Sequence, residues 1–191
     1  YIISGGQTMN PSTEDIVKAI ESVKAESIII LPNNKNIFMA AQSAADVVDV
    51  PAAVVETRTI PQGLTSLLAF NAANSLEDNL VAMTESLTDV VSGSVTRAVR
   101  DTTIDGLDIH KDDILGMVNG KILVSNPDMD QALHQLFKKM IAEDSEIVTI
   151  YVGEEGSQEQ AQKLAEDFEN QHEEIEVEIH QGCLLYTSLM A

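Results

Sequence analysis

Residues 2–12 read Ile2-Ile-Ser-Gly-Gly-Gln-Thr-Met-Asn-Pro-Ser12, a short apolar run that breaks into a polar turn containing two glycines. Gly5 and Gly6 carry no Cβ and tolerate positive φ, so the backbone can reverse sharply and let another molecule approach its amides. Gln7, Thr8 and Asn10 add side-chain hydrogen-bonding groups to the same turn. Ser12 stands three residues before Asp15, a capping-box spacing, and Ile16, Val17, Ala19, Ile20 and Val23 follow at helical intervals. A strand, a glycine turn and a helix start together suit an anion or a polar ligand. Two glycines also suit a plain tight connection, and only recurrence of the plan favours the first reading.

The plan does recur. Ser27-Ile-Ile-Ile-Leu31 reads as a second strand, Asn33, Asn34, Lys35 and Asn36 as its polar loop, and Ile37, Ala40, Ala41, Ala44, Ala45 and Val48 as one side of an alanine-rich helix able to approach a sheet closely. Ala52-Ala-Val-Val55 is the third strand. Its loop carries Thr57, Arg58, Thr59, Gln62 and Gly63, and a short helix with Leu64, Leu67 and Leu68 follows. Short, continuous, apolar strands are those of a parallel sheet covered on both faces, and right-handed crossovers bring the three polar loops to one carboxyl edge. A fourth helix, opened by Ser75, carries Leu76, Leu80, Met83, Leu87, Val90 and Val91.

At Ser92-Gly93-Ser94 the pattern changes, and a boundary is expected there. Val95, Ala98–Arg100, Ile114–Val118 and Lys121–Val124 read as extended, the last two joined by the hairpin signal Asn119-Gly120. A helix over 127–142, a strand over 147–152, a helix capped by Ser157 and a strand over 175–179 complete this half. Glu174, Glu176 and Glu178 alternate with apolar residues in the last strand, which demands one wet face. The fold expected is α/β: a parallel three-layer subdomain over 1–91, then a mixed-sheet subdomain over 92–182. The stretch from Cys183 to Ser188 resembles the translation of a transposase mosaic-end adaptor, which would make 183–191 a non-native tail and its cysteine an artefact; an ordinary final strand is the alternative.

Composition narrows the function. The 191 residues, 44% of them apolar, can bury a real core, whereas a formal charge of −20 opposes phosphate-tracking nucleic-acid surfaces and anionic membranes. No run approaches a membrane span and a single cysteine permits no disulfide framework, so a cytoplasmic protein with a protein or small-molecule partner is expected.

Three motifs carry a family resemblance: Ile2 to Thr13 (Ile-Ile-Ser-Gly-Gly-Gln-Thr-Met-Asn-Pro-Ser-Thr), then Ile-Leu-Pro-Asn-Asn-Lys-Asn ending at Asn36, then Arg-Thr-Ile-Pro-Gln-Gly ending at Gly63. Joined by Ala98-Val-Arg-Asp101 and Gly116-Met-Val-Asn-Gly-Lys-Ile122, they resemble the C-terminal region of the bacterial fatty-acid kinase ATP-binding subunit (FakA) family, related to dihydroxyacetone kinases. The resemblance covers Tyr1 to about Gly182. It implies a parent enzyme whose N-terminal domain binds ATP and magnesium, and a C-terminal region that engages a DegV-like fatty-acid-binding partner. It also implies that the partner's acyl carboxylate is phosphorylated and enters phospholipid synthesis. The resemblance also admits a homodimer formed through the full-length parent. This chain, lacking the nucleotide domain, is then a docking fragment with no cofactor and no catalysis of its own.

Independent signals agree with that restraint. No phosphate-binding G-x-x-x-x-G-K-[ST] loop, H-E-x-x-H pair or G-x-S-x-G elbow is present. His110, His134, His172 and His180 are scattered, and Asp101, Asp105, Asp108, Asp112 and Asp113 fit no calcium-loop spacing, so a solvated connection is the expectation. Residues 1–91 hold 11 acidic and 4 basic side chains, and two of the four, Lys35 and Arg58, fall in the strand-end loops. They suit a carboxylate or phosphate; a local pair such as Arg58 with Glu56 is the alternative. Two other functions remain open, a small-molecule or transferase crevice at the same strand ends and a dimerisation region using the wet sheet face.

Overall fold

Ser12 caps the first helix as its spacing to Asp15 predicts: the Asp15 amide donates to Ser12 Oγ at 3.2 Å and Asp15 Oδ2 accepts the Ser12 amide at 2.9 Å. Bonds from the Ser12 hydroxyl, then from its amide, hold the Asp15 carboxyl below the usual carboxylate range. The computed structural model in which this is seen describes residues 1–3, 10–142, 145–154, 156–182 and 187–191. Two units are distinguished, Tyr1–Val90 and Val91–Ala191.

The first unit runs α1 (Thr13–Ser22), β1 (Ile28–Ile30), α2 (Phe38–Val47), β2 (Ala52–Val54), α3 (Ile60–Leu68) and α4 (Leu76–Glu85). β1 and β2 pair in parallel, Ile28 opposite Ala52. Ile28, Ile30 and Val54 pack with Ile16 and Ile20 of α1 and with Ala41 and Ala44 of α2, the two alanines being wholly buried. Small side chains at these α2 positions let helix and sheet approach closely. The expected first strand is corrected: Ile2 and Ile3 are not in a strand, Ile2 is 90% exposed, and Ile3 packs against the same cluster. Ser4 to Met9 lie outside the described residues.

α3 turns Pro61, Gly63 and Ser66 inward and leaves Leu64, Leu67 and Leu68 exposed. The connection from α3 to α4 is closed by Asn79, itself 3% exposed. Its Oδ1 accepts the Asn71 amide at 2.8 Å, and its Nδ2 donates to the carbonyls of Asn71, Asn74 and Ser75. Asn79→Ala is expected to lower stability by about 1–2 kcal/mol, because the freed loop groups regain water while the amide's network is lost; a chemical-denaturation midpoint equal to wild type would show that the loop is held otherwise.

The second unit contains β3 (Ser92–Arg97), a hairpin of β4 (Thr102–Ile104) and β5 (Leu107–Ile109), β6 (Ile114–Val118), β7 (Lys121–Asn126), α5 (Met129–Met140), β8 (Ile147–Val152), α6 (Gln158–Glu169), β9 (Glu176–Gln181) and β10 (Thr187–Met190). Six strands form one sheet in the order β7-β6-β3-β10-β8-β9. All neighbours are antiparallel except β8 and β9, which α6 connects in sequence. Asn119 and Gly120 have φ of 48° and 79°, the left-handed pair that a two-residue hairpin requires. One continuous core joins Val148, Ile150, Val152 and Leu189 of the sheet to Leu136 and Phe137 of α5 and Leu164 and Phe168 of α6. The Phe137 and Phe168 rings lie 4.9 Å apart, tilted by 52°.

Ser92-Gly93-Ser94, where a boundary is expected, is the start of β3. A Cβ on Gly93 would collide with Met140 Sδ, so its smallness serves close packing against α5. Ala98–Arg100, expected to be extended, are not in a strand; the Ala98 amide donates instead to Asp113 O at 2.8 Å. Within the acidic segment, Asp113 Oδ2 accepts the His110 amide at 3.0 Å and the Ser125 hydroxyl at 2.9 Å, and these bonds, the backbone one foremost, hold its carboxyl below the usual range. Asp101 and Asp108 accept from the Lys111 amide and the Thr103 hydroxyl. These aspartates hold turns. Residues 183–186 lie outside the described residues.

Candidate functional site

The loops that follow β1 and β2 meet. Asn33, with φ of 55°, occupies the left-handed region that asparagine tolerates better than most residues. Its amide donates to Thr57 Oγ1 at 2.9 Å, and Thr57 is wholly buried. The Asn33 side chain lies on Gly63, where an added Cβ would overlap Asn33 Oδ1 and crowd its Cγ at 2.9 Å. Gly63 therefore serves close approach between two loops. Asn33 Oδ1 is buried with no hydrogen-bond partner among the described residues.

The other polar side chains are largely occupied in shaping these loops. Asn34 Oδ1 accepts the Asn36 amide at 2.9 Å and caps a 3-10 turn, Lys35–Ile37. Thr59 Oγ1 accepts the Gln62 amide at 3.3 Å and caps α3, whose first turn contains Pro61. Gln62 Oε1 accepts the Arg58 amide at 2.8 Å, and Gln62 Nε2 donates to Leu87 O at 3.4 Å. What the sequence does not show is that Asn33, Asn34, Thr57, Thr59, Gln62 and Gly63 hold the loops in shape, because a turn-forming and a ligand-binding asparagine look alike in sequence.

Lys35 and Arg58 differ from their neighbours. Both are exposed, and neither forms an ion pair among the described residues, so the alternative pairing of Arg58 with Glu56 is not observed. Two cations thus flank a fixed junction in a chain of net charge −20. Asn36 and Asn10 are also exposed. Gly5, Gly6, Gln7 and Thr8 lie outside the described residues, so the junction is described for two of the three expected loops. Among the described residues no group of three or more His, Cys, Asp or Glu is placed to hold a metal ion.

Polar loops at the ends of parallel strands, followed in sequence by a mixed sheet with two helices on its core face, define an α/β protein, and solved structures of DegV family proteins and of a dihydroxyacetone kinase share its fold. A DegV family protein of Corynebacterium glutamicum matches with a TM-score of 0.67 and 17% identity over 100% of this chain and 86% of that one. The Streptococcus pneumoniae fatty acid kinase B3 protein, solved loaded with linoleic acid, gives 0.63 and 13% over 94% and 75%. The dihydroxyacetone kinase of C. freundii, solved with AMP-PNP and Mg2+, gives 0.61 and 15% over 94% and 41%. At these identities the likeness is one of fold. Sequence goes further: residues 1–186 match the FakA-like family of fatty acid kinase C-terminal regions, and the chain belongs to that family. Protein YloV of Bacillus subtilis (strain 168) is 51% identical over 181 residues, and an uncharacterised protein of Staphylococcus aureus (strain USA300) is 48% identical over 182. Each match covers 95% of this chain and 33% of the relative, so the chain spans about a third of their length.

Proposed function

We propose that this chain is the partner-docking region of a fatty-acid kinase subunit, holding a DegV-like fatty-acid-binding protein so that its acyl carboxylate meets an ATP domain carried elsewhere in the parent protein. The observation that carries this reading is the junction of the β1 and β2 loops, where Lys35 and Arg58 stand exposed without ion-pair partners among the described residues in a chain of net charge −20. Membership of the fatty acid kinase family supports it, and so does the fatty-acid-loaded state in which one fold neighbour was solved.

In this reading the chain contributes position: a rigid junction fixes where the loaded carboxylate lies, which lowers the entropic part of the barrier, while ATP and magnesium act in the parent's own nucleotide domain. Fixed cations also steer an acidic surface on the partner toward the rim. No helix among the described residues is long and apolar enough to cross a membrane, which suits a kinase acting in the cytoplasm on a protein-held acyl chain. Pull-down of a DegV-like fatty-acid-binding protein tests the proposal. Lys35→Glu with Arg58→Glu is expected to weaken capture at least about tenfold, through a slower on-rate and lost contacts; undiminished capture would remove the rim from the interface, and no capture by the wild-type chain would overturn docking itself.

A further inference from the structure

The outward face of α3 departs from the chemistry of the remaining chain. From Thr59 to Leu76 no side chain is charged, in a protein whose residues are 22% charged. Within that stretch Leu67 is 53% exposed, Leu68 88% and Phe70 47%. Leu67 and Phe70 adjoin a partly open cavity of about 260 Å³ on the sheet face opposite α1 and α2. Ile29 of β1 and Leu31 just after it line one wall, Leu67 and Phe70 another, and buried Met83 of α4 a third. Asn79 also reaches the lining, but its amide is engaged with the 71–75 loop. Ser27 contributes the remaining polar group.

We infer that this face is a second docking surface, independent of the rim, for a protein segment that inserts one large apolar side chain into the cavity and carries lysine or arginine on either side of it. The apolar anchor follows from the lining, which is apolar apart from Ser27 and the engaged Asn79. The basic flanks follow from charge. Exposed Glu26 adjoins Ser27 of the lining, and exposed Glu77 and Asp78 adjoin Leu76. A free fatty-acid carboxylate at this mouth meets like charge, whereas a basic flank gains attraction and the apolar centre provides the desolvated anchor typical of hot spots.

The test follows the methyl signals of the full chain by NMR during titration with a short synthetic helix of leucine and lysine, leucines spaced by three and four, beside the same helix with glutamate for lysine and beside decanoate. Saturable movement of the Met83 ε-methyl with the lysine helix is expected, weakened at least about tenfold in the Leu67→Ser, Phe70→Ser chain. Because both replaced residues are exposed, the variant should keep wild-type circular dichroism. A silent Met83, equal binding to the double variant, or equal affinity for the glutamate helix would each overturn the inference. Decanoate moving Met83 while the lysine helix does not would reassign the cavity to a lipid.

Discussion

Leu189→Asp is expected to unfold the second unit or bring it to the edge of unfolding. Leu189 is completely buried in β10, an interior strand of the six-stranded sheet, and belongs to the cluster formed with α5 and α6. Removing a buried leucine costs about 2–5 kcal/mol, and a carboxylate in its place adds the penalty of an unpaired buried charge. The sum, about 5 kcal/mol or more, compares with the total stability of many domains. The strand is also fixed along both edges: Ser188 is opposite Ser94 on β3 and Tyr151 on β8, and Ala191 exchanges backbone hydrogen bonds with Val91 at 2.7 and 3.0 Å. Deleting 187–191 should be equally severe, since it leaves β3 and β8 with unpaired edges. Urea denaturation followed by circular dichroism checks both variants; a wild-type midpoint for Leu189→Asp would mean that this segment is not in the sheet.

That strand also shows what the sequence could not convey. The hairpin at Asn119-Gly120 and the alternation of Glu176, Val177, Glu178 and Ile179 are local patterns, and the structure agrees with them. The position of β10 between β3 and β8 is not local; it depends on pairings made far apart in the chain. Ser92-Gly93-Ser94 marks in sequence the point where alternating strands and helices give way to a run of strands. The same residues suit a strand where Met140 presses on Gly93 and where Asn119 Oδ1 accepts the Ser92 amide at 3.0 Å. In α3, helical spacing groups Leu64, Leu67 and Leu68 on one face, but periodicity cannot state that the small Gly63 and Ser66 face turns inward instead. The 187–190 strand lies beyond residue 186, where the family match ends, so the family likeness does not account for it.

The rim divides in the same way. Glycine, asparagine and threonine at strand ends mark where loops converge, yet the residue types that bind ligands also close turns. Lys35 and Arg58 are the sharper signal, because a long charged side chain contributes little to shaping a loop and basic residues are rare in the first half of this acidic chain. The burial of Thr57 beneath Asn33 could not be read from sequence, since its partner lies 24 residues away.

Gly63→Ala tests whether the two loops are truly locked. In an ordinary helix this change removes backbone freedom from the unfolded chain and stabilises by about 1 kcal/mol. Here the new methyl would overlap Asn33 Oδ1, with Asn33 Cγ and Nδ2 at 2.9 and 3.0 Å, so the whole amide must move. Asn33 has little room to yield, because its positive φ and its bond to Thr57 fix the backbone from which that side chain projects. Overpacking should win, with a net loss of up to about 2 kcal/mol and a lower Tm. Asn33→Gly supplies the control: glycine keeps the positive φ at no steric cost and removes the colliding amide. If the clash is the cause, Gly63→Ala costs much less in the Asn33→Gly background, and the two changes are non-additive by more than about 1 kcal/mol. Additive effects, or a rise in Tm for Gly63→Ala alone, would mean that the Asn33 side chain does not rest on α3, and the rim would lose the fixed junction that gives Lys35 and Arg58 their place.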